Sequence, residues 1–119
     1  MGSLSLIKLQ VEGIPLTAVV IDTPDTASYL RINHTIQAIF KESEVIIGKG
    51  STHSLSLQNR IPGEVVSIEK SKLMSRIRIQ TIAGTITSVI TTHATEEMQL
   101  QPGDQITAMI ETNEMMLSA

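Results

Sequence analysis

The sequence predicts an all-β protein made of two tandem copies of a small five-stranded barrel, with the opening strand of the first copy missing. Two observations lead to this fold class. Short stretches alternate apolar and polar residues with a period of two, which is typical of strands with one solvated face. In addition, the chain matches itself without a gap when it is displaced by 70 residues, which indicates two copies of one fold.

The repeat aligns residues 4–48 with residues 74–118. The identical pairs are Ser5 and Ser75, Ile7 and Ile77, Gln10 and Gln80, Thr17 and Thr87, Val19 and Val89, Leu30 and Leu100, Ile36 and Ile106, Ala38 and Ala108, and Glu44 and Glu114. The segment that opens the second copy, from Ser56, has no counterpart in the first copy. Either the gene begins inside the first copy, or another chain supplies the missing strand. A half-barrel exposes a strand edge, so we expect the first copy to borrow a strand or to pack into an oligomer.

The second copy contains five predicted strands and one predicted helix. The strands cover residues 63–69, 76–82, 85–90, 104–111 and 115–117. A turn at Ala83 and Gly84 joins the second and third strands, and a helix over 92–100 is stopped by residues 101–103. Five short strands with a helix between the third and fourth are typical of an OB-like barrel.

The first copy repeats this order from its second strand onward. Strands are predicted over 5–11, 16–21, 35–41 and 44–47, with a helix near 24–30. The predicted organisation is therefore an incomplete first repeat at 1–50, a polar linker at 51–55 and a complete second repeat at 56–119.

Composition excludes several classes of function. The net charge of −3 and the presence of only two aromatic residues, Tyr29 and Phe40, argue against direct nucleic-acid binding. No run of 18 apolar residues and no export leader are present, so we expect neither a membrane span nor secretion. The absence of cysteine excludes disulfides and thiolate metal sites and fits a cytoplasmic protein.

The sequence offers little for catalysis or metal binding. The three histidines, His34, His53 and His93, are not spaced from one another or from a carboxylate pair as metal ligands are. There is also no nucleophile elbow, phosphate-binding loop or dinucleotide fingerprint. We therefore predict a protein that is not an enzyme and holds no metal ion in a ligand cluster.

Anion binding is better supported, because helix N-termini present free N–H groups and partial positive charge. The predicted helix of the first copy begins with Asp22 and Asp25, whose carboxylates repel an anion. The corresponding start in the second copy, Thr91, Thr92, His93 and Ala94, has neutral hydroxyls and a histidine that can become cationic. The alternative interpretation is that the threonines only cap the helix.

Further hydrogen-bond donors precede the first strand of the second copy. They are Ser56, Gln58, Asn59 and Arg60, with Lys41 and Ser43 at a strand end of the first copy. The alternatives are a polar loop with a local turn bond from the asparagine, and a solvated lysine. The second copy has Glu111 where the first has Lys41, so folding does not require a cation at that position.

These residues resemble the Mop/TOBE molybdate-binding domain. The resemblance rests on the order and spacing of residues 56–59, 63–69, 85–91, 100–104 and 108–117, and on residues 41–45 of the first copy. In that family, tandem copies form di-Mop units that assemble as dimers, trimers or hexamers and bind molybdate or tungstate at interfaces. The family includes free molybdenum-storage proteins and the regulatory ends of a repressor and of a transport ATPase.

The resemblance implies a role for particular residues. The family's serine and asparagine correspond to Ser56 and Asn59, its helix-start threonine to Thr91 and its strand-end lysine to Lys41. Three residues depart from the family pattern and remove expected donors: Gln58 replaces an arginine, Ala94 a serine, and Glu111 a lysine.

We therefore expect a homo-oligomer that binds molybdate or tungstate, without an organic cofactor, for molybdenum storage, homeostasis or sensing. The alternative is a TOBE-fold interaction module of a molybdate transporter or regulator whose anion site is weakened or lost.

Overall fold

The computed structural model describes residues 4–20, 34–50 and 53–118. In chain order these ranges contain β1 (Ser5–Val11), β2 (Ile14–Val20), β3 (Gln37–Ile39), β4 (Ile46–Lys49), β5 (Asn59–Lys70), β6 (Met74–Thr81), β7 (Gly84–Thr91), α1 (Thr92–Glu97), β8 (Gln105–Ile110) and β9 (Met116–Ser118). Two short 3-10 turns, Glu42–Glu44 and Thr112–Glu114, precede β4 and β9. The prediction of an almost entirely β fold is confirmed.

The elements recur with the spacing of the sequence repeat. The two 3-10 turns lie 70 residues apart, and β1 and β2 occupy the positions of β6 and β7 displaced by the same number. β5 has no counterpart among the described residues of the first copy. The helix predicted near 24–30, with the acidic start at Asp22 and Asp25, lies outside the described residues.

Most predicted strands agree with the structure within a few residues, and three boundaries need correction. β5 begins at Asn59, four residues before the predicted start. The hairpin turn consists of Ile82 and Ala83, so that Gly84, at φ 114°, opens β7. α1 ends at Glu97 because Gln99 adopts a left-handed φ of 53°.

A Schellman motif explains this early helix end. The Gln99 N–H donates to the Glu96 carbonyl at 3.0 Å, and the Leu100 N–H donates to the Thr95 carbonyl at 3.1 Å. These bonds satisfy carbonyl groups that a helix terminus otherwise leaves without partners. The chain therefore leaves the helix before it reaches Pro102.

The final strands of the two copies are exchanged. The main sheet is antiparallel with the order β4-β8-β5-β6-β7, so the last strand of the first copy pairs with the fourth strand of the second. Conversely, β9 pairs with β3, the fourth strand of the first copy. The two copies are therefore interlocked rather than placed side by side.

The hydrophobic core follows this interlocking. Its buried members come from both copies: Leu16, Ala18, Val45, Ile47, Ile61, Val65, Ile77, Ile79, Ile86, Leu100, Ile106, Ala108, Ile110 and Met115. A buried hydrogen bond also joins the copies, because the Ser88 hydroxyl donates to the Val45 carbonyl at 2.7 Å. Within the described residues, no helix is long and apolar enough to cross a membrane.

β5 changes neighbours at Gly63. Gly63 pairs with Ile106 of β8 and with Thr81 of β6. A Cβ atom at this position would lie 2.6 Å from Cγ2 of Ile79 and 2.9 Å from the backbone oxygen of Gln80. Only glycine fits this close approach without displacing the backbone of β6.

We predict that Gly63→Ala lowers the free energy of unfolding by about 1–3 kcal/mol, the usual range for overpacking. The matched control is Gly48→Ala, also in a strand, where the three atoms nearest to the added Cβ are side-chain ends of His53 and Met109. Because those ends can move, the control should lose clearly less stability. Urea unfolding followed by circular dichroism measures both; equal losses would contradict this explanation of Gly63.

Candidate functional site

Asn59 connects the opening of the second copy to the first copy. Its side chain is fully buried. The Thr17 N–H donates to Oδ1 of Asn59 at 2.6 Å, and Nδ2 of Asn59 donates to the Thr17 carbonyl at 2.8 Å. Both ends of the amide are thus satisfied by the backbone N–H and carbonyl of one residue of β2, as burial of a polar group requires. Asn59 fixes the position of the segment that precedes it.

Arg60 closes that segment into a loop. Its Nε donates to the Leu57 carbonyl at 2.8 Å and its Nη2 to the Leu55 carbonyl at 2.7 Å, while Nη1 donates to the His53 carbonyl. The guanidinium is a planar fork of donors, which suits several converging carbonyls. Two predicted site residues, Ser56 and Gln58, are exposed on this loop.

The start of α1 is less open than the sequence suggests. The Thr92 N–H donates to the Leu73 carbonyl at 2.9 Å, and the Ala94 N–H donates to Oγ1 of Thr91 at 3.0 Å. Two of its backbone donors are therefore already paired within the chain. For Thr91 the structure agrees with the alternative interpretation given above, since its side chain caps the helix.

The remaining polar groups of this helix start have different surroundings. The Thr92 side chain is buried, where its hydroxyl donates to the Ser71 carbonyl at 2.7 Å and lies 2.8 Å from Oγ of Ser75. His93 is exposed, with Nε2 at 3.4 Å from Oε1 of Glu97. Among the predicted residues 91–94, His93 is the one with an ionisable side chain, and this side chain is exposed to solvent.

Lys41 and Ser43 are exposed at the first 3-10 turn. Lys41 precedes this turn, and its carbonyl accepts the Glu44 N–H at 2.9 Å. The turn packs against β7, the strand that leads into α1. Lys41 and Ser43 therefore lie near β7, the same strand that leads into α1.

The ten predicted site residues form two groups. Ser56, Gln58, Asn59 and Arg60 lie beside β2 and the end of β8, whereas Lys41, Ser43 and residues 91–94 lie along β7. Within the described residues, no hydrogen bond or ion pair joins the two groups. Asn59 pairs with Ile110 at the end of β8. The opening segment of the second copy therefore lies next to the strand end that leads to Glu111. It does not pair with the end of β3, the strand that leads to Lys41.

Among the described residues, a cleft beside the start of α1 is a feature that the sequence patterns did not single out. It has a volume of about 270 Å³ and is lined by Glu69, Lys70, Ser71, Met74, Ser75, Arg76 and Val89. It adjoins the start of α1 through the bonds of Thr92 to Ser71 and Ser75. Nε of Arg76 lies 3.7 Å from Oε2 of Glu42, and Nη1 lies 4.0 Å from Oε2 of Glu69, so acidic side chains flank its charge. The alternation of β6 predicts Arg76 as exposed, but gives no sign of the cleft.

Comparison with known proteins identifies the family to which this chain belongs. The family profile of the TOBE domain matches residues 55–117, which is more than half of the chain. The chain belongs to the TOBE domain family.

Curated relatives agree with this assignment. The chain is 32% identical over 111 residues to the molybdenum-pterin-binding protein MopB of Rhodobacter capsulatus, an alignment that covers 90% of this chain and 40% of MopB. It is 30% identical over 67 residues to molybdenum-pterin-binding protein 1 of Clostridium pasteurianum, covering 56% of this chain and 98% of that protein. The chain thus spans about two fifths of the length of MopB.

Solved structures show the same architecture. The cytoplasmic molybdate-binding protein ModG, in a form with molybdate bound, superimposes with a TM-score of 0.80 at 25% identity, over 97% of this chain and 89% of ModG. MopII of Clostridium pasteurianum superimposes with a TM-score of 0.53 at 27% identity, over 56% of this chain and all of MopII. The predicted OB-like barrel architecture is confirmed by these likenesses.

We predict that Asn59→Ala lowers the free energy of unfolding by about 1–3 kcal/mol, because the Thr17 N–H and carbonyl lose their partners. The control is Gln58→Ala, next to it in sequence but exposed, which should stay within about 0.5 kcal/mol of the original chain. Urea denaturation measures the free energy of unfolding of both variants. If the two variants were equally stable, Asn59 would not connect the two copies as described.

Proposed function

We propose that this chain binds molybdate without transforming it. The observation that carries the proposal is the likeness to ModG in its molybdate-bound form, which extends over 97% of the chain. The relatives named for molybdenum binding support the same ligand class. The net charge of −3 makes nonspecific attraction of a dianion unfavourable, so binding requires a built site.

The exposure of the candidate residues divides them by role. The side chains of Lys41, Ser43, Ser56, Gln58 and His93 are exposed and are the proposed contacts with the oxyanion. The others act by positioning: Asn59 and Arg60 hold the opening loop, and Thr91, Thr92 and Ala94 hold the start of α1. An ammonium, hydroxyls and amides are suitable donors to a tetrahedral dianion, and the bonds from the ammonium are charge-assisted.

The site is proposed to lie between chains. In a single chain the opening loop lies beside the strand end that leads to Glu111, which repels an anion, whereas Lys41 lies along β7. A second chain that presents Lys41 to Ser56 and Gln58 supplies the missing positive charge. Binding of this kind suits storage, homeostasis or sensing of molybdenum in the cytoplasm by a homo-oligomer, with tungstate as an alternative ligand and no organic cofactor.

A second function is favoured by Glu111. With a carboxylate in place of the family's lysine, the chain can serve as an assembly module whose anion site is weak or absent. In that case oligomerisation is independent of oxyanions, and substitution of Lys41 or Ser56 leaves anion binding unchanged.

Titration calorimetry with molybdate, tungstate and sulfate separates the two functions. We expect molybdate and tungstate to bind, with an affinity that falls as salt is added, since the attraction is mainly electrostatic. Lys41→Met should weaken binding by about one to two decades, the usual effect of losing one charged donor. Lys8→Met, which removes an exposed lysine of β1 outside the proposed contacts, is the matched control and should bind as the original chain does.

A substitution at position 111 tests the same proposal by adding a positive charge to the site instead of removing one. We predict that Glu111→Lys tightens molybdate binding, because it replaces repulsion by attraction next to the opening loop. Glu111→Gln should give an intermediate affinity. Absence of heat for all three oxyanions, in the original chain and in Glu111→Lys, would leave the assembly module as the function.

A further inference from the structure

The connection between the two copies crosses over a strand of the main sheet. β4 and β5 lie on opposite sides of β8 and are both antiparallel to it, so they run parallel to each other. The chain leaves β4 at Lys49, opposite Ile106, and enters β5 at Asn59, opposite Ile110. It must therefore return over a distance of about 17 Å, given two strand spacings of about 4.8 Å and four residues of about 3.4 Å each. We call the described part of this connection, residues 53–58, the crossover loop.

Arg60 holds the crossover loop in a closed form. Its guanidinium donates to the carbonyls of Leu57, His53 and Leu55. The bonds to His53 and Leu55 span seven and five residues, so they can form only while the loop is folded back toward Arg60. Bonds from a charged donor are stronger than bonds between neutral groups. Arg60 therefore stabilises the closed crossover loop.

A buried group at the start of the crossover loop acts in the opposite direction. Nε2 of His53 is buried and, among the described residues, has no hydrogen-bond partner. The ring lies close to Gly48, where an added Cβ would be 2.7 Å from Cε1 and Nε2 of His53. A buried polar group without a partner destabilises the state in which it is buried. Opening of the loop allows this nitrogen to reach water.

The contacts between the two copies do not depend on which chain supplies each copy. β4 pairs with β8, β9 pairs with β3, and the Asn59 amide bonds to the backbone of Thr17. A second molecule of this chain carries the same strands and the same Thr17. Each contact can therefore form equally well between the first copy of one chain and the second copy of another. The two arrangements then differ only in the path of the connection.

We propose that this chain forms a domain-swapped dimer, in which two chains trade their first copies, and that Arg60 controls its formation. The surface that binds the partner is the one that each chain already offers to itself, the paired edges of β8 and β3 together with Asn59. The dimer opens two crossover loops and loses the bonds of both Arg60 side chains. The closed chain is therefore favoured in dilute solution, where its linked copies meet at a high effective concentration. This proposal does not depend on oxyanion binding.

Two single-cysteine chains detect the swapped arrangement. Ile39 and Met116 are paired and exposed, so one chain carries Ile39→Cys and the other carries Met116→Cys. In a closed chain each cysteine lies opposite the unchanged residue of its own chain, and this also holds for an oligomer of closed chains. A swapped dimer instead places the two cysteines opposite each other. The chains are mixed, unfolded in urea, refolded without oxyanion and oxidised, and the mixed disulfide is identified by intact mass.

Removal of the arginine should favour the dimer. Arg60→Ala should raise the association constant by about a hundredfold, because the loss of a charged bond changes each loop by about tenfold and the dimer opens two loops. Arg78→Ala, which removes an exposed arginine of β6 outside the loop, is the matched control and should associate as the original chain does. Sedimentation equilibrium measures the association constant. A mixture of Ile39→Cys with Leu73→Cys, at a position 75% exposed, gives the background of random cross-linking.

A shortened connection gives a second test. Deletion of residues 52–57 leaves residues 50, 51 and 58 between Lys49 and Asn59. These reach about 14 Å when fully extended, which is less than the return requires. In a swapped dimer the same connection only has to join two separate pairs of copies. The shortened chain should therefore be a dimer at every concentration and should give the mixed disulfide although Arg60 is present.

Three results would each overturn the proposal. Arg60→Ala could associate no more strongly than Arg78→Ala, its dimer could give no mixed disulfide above the background mixture, or the shortened chain could be recovered as a folded monomer. Circular dichroism establishes whether each variant is folded. Failure of both Arg60→Ala and the shortened chain to fold would also overturn it, since a swapped dimer keeps every contact outside the crossover loop.

Discussion

The exchange of final strands between the two copies is the constraint on which the rest of this structure depends. β4 completes the sheet of the second copy through β8, and β9 pairs with β3 of the first. Neither copy has a complete set of strand neighbours by itself. Separation of the copies at residues 51–55 would free the edges of β8 and β3 and expose a core built from both copies. The buried bond from Ser88 to Val45 and the contacts of Asn59 with Thr17 depend on the same interlocking.

The interlocking also determines where functional groups can meet. It places the opening loop of the second copy beside β2 of the first copy, so some of the residues next to that loop come from a distant part of the sequence. In this chain the nearby strand end leads to Glu111, whereas Lys41 lies along β7. An oxyanion site and an assembly surface are therefore linked in the proposed function, because a second chain brings the cation to the loop.

The sequence predicts the strands well because their pattern is local. The alternation of β1 and β6 and the displacement by 70 residues are sufficient to place the strands and the repeated hairpin. Strand exchange could not be predicted, since either order of final strands satisfies the same alternation. The roles of Asn59 and Arg60 depend on bonds to Thr17 and to carbonyls of their own loop, which residue type does not specify. The pairing of the Thr92 N–H with Leu73 likewise depends on tertiary structure.

Disulfide trapping tests the interlocking most directly, because the chain has no cysteine of its own. Ile39 of β3 and Met116 of β9 lie opposite each other and are both exposed. Directly opposed strand residues are close enough for a disulfide. The account predicts that the double variant Ile39→Cys/Met116→Cys forms an intrachain disulfide under mild oxidation, detected by intact mass and non-reducing electrophoresis. Without exchange, Ile39 would instead face Ile46, the counterpart of Met116 in the first copy. Efficient cross-linking of Ile39→Cys/Ile46→Cys, with none in the first variant, would contradict the account.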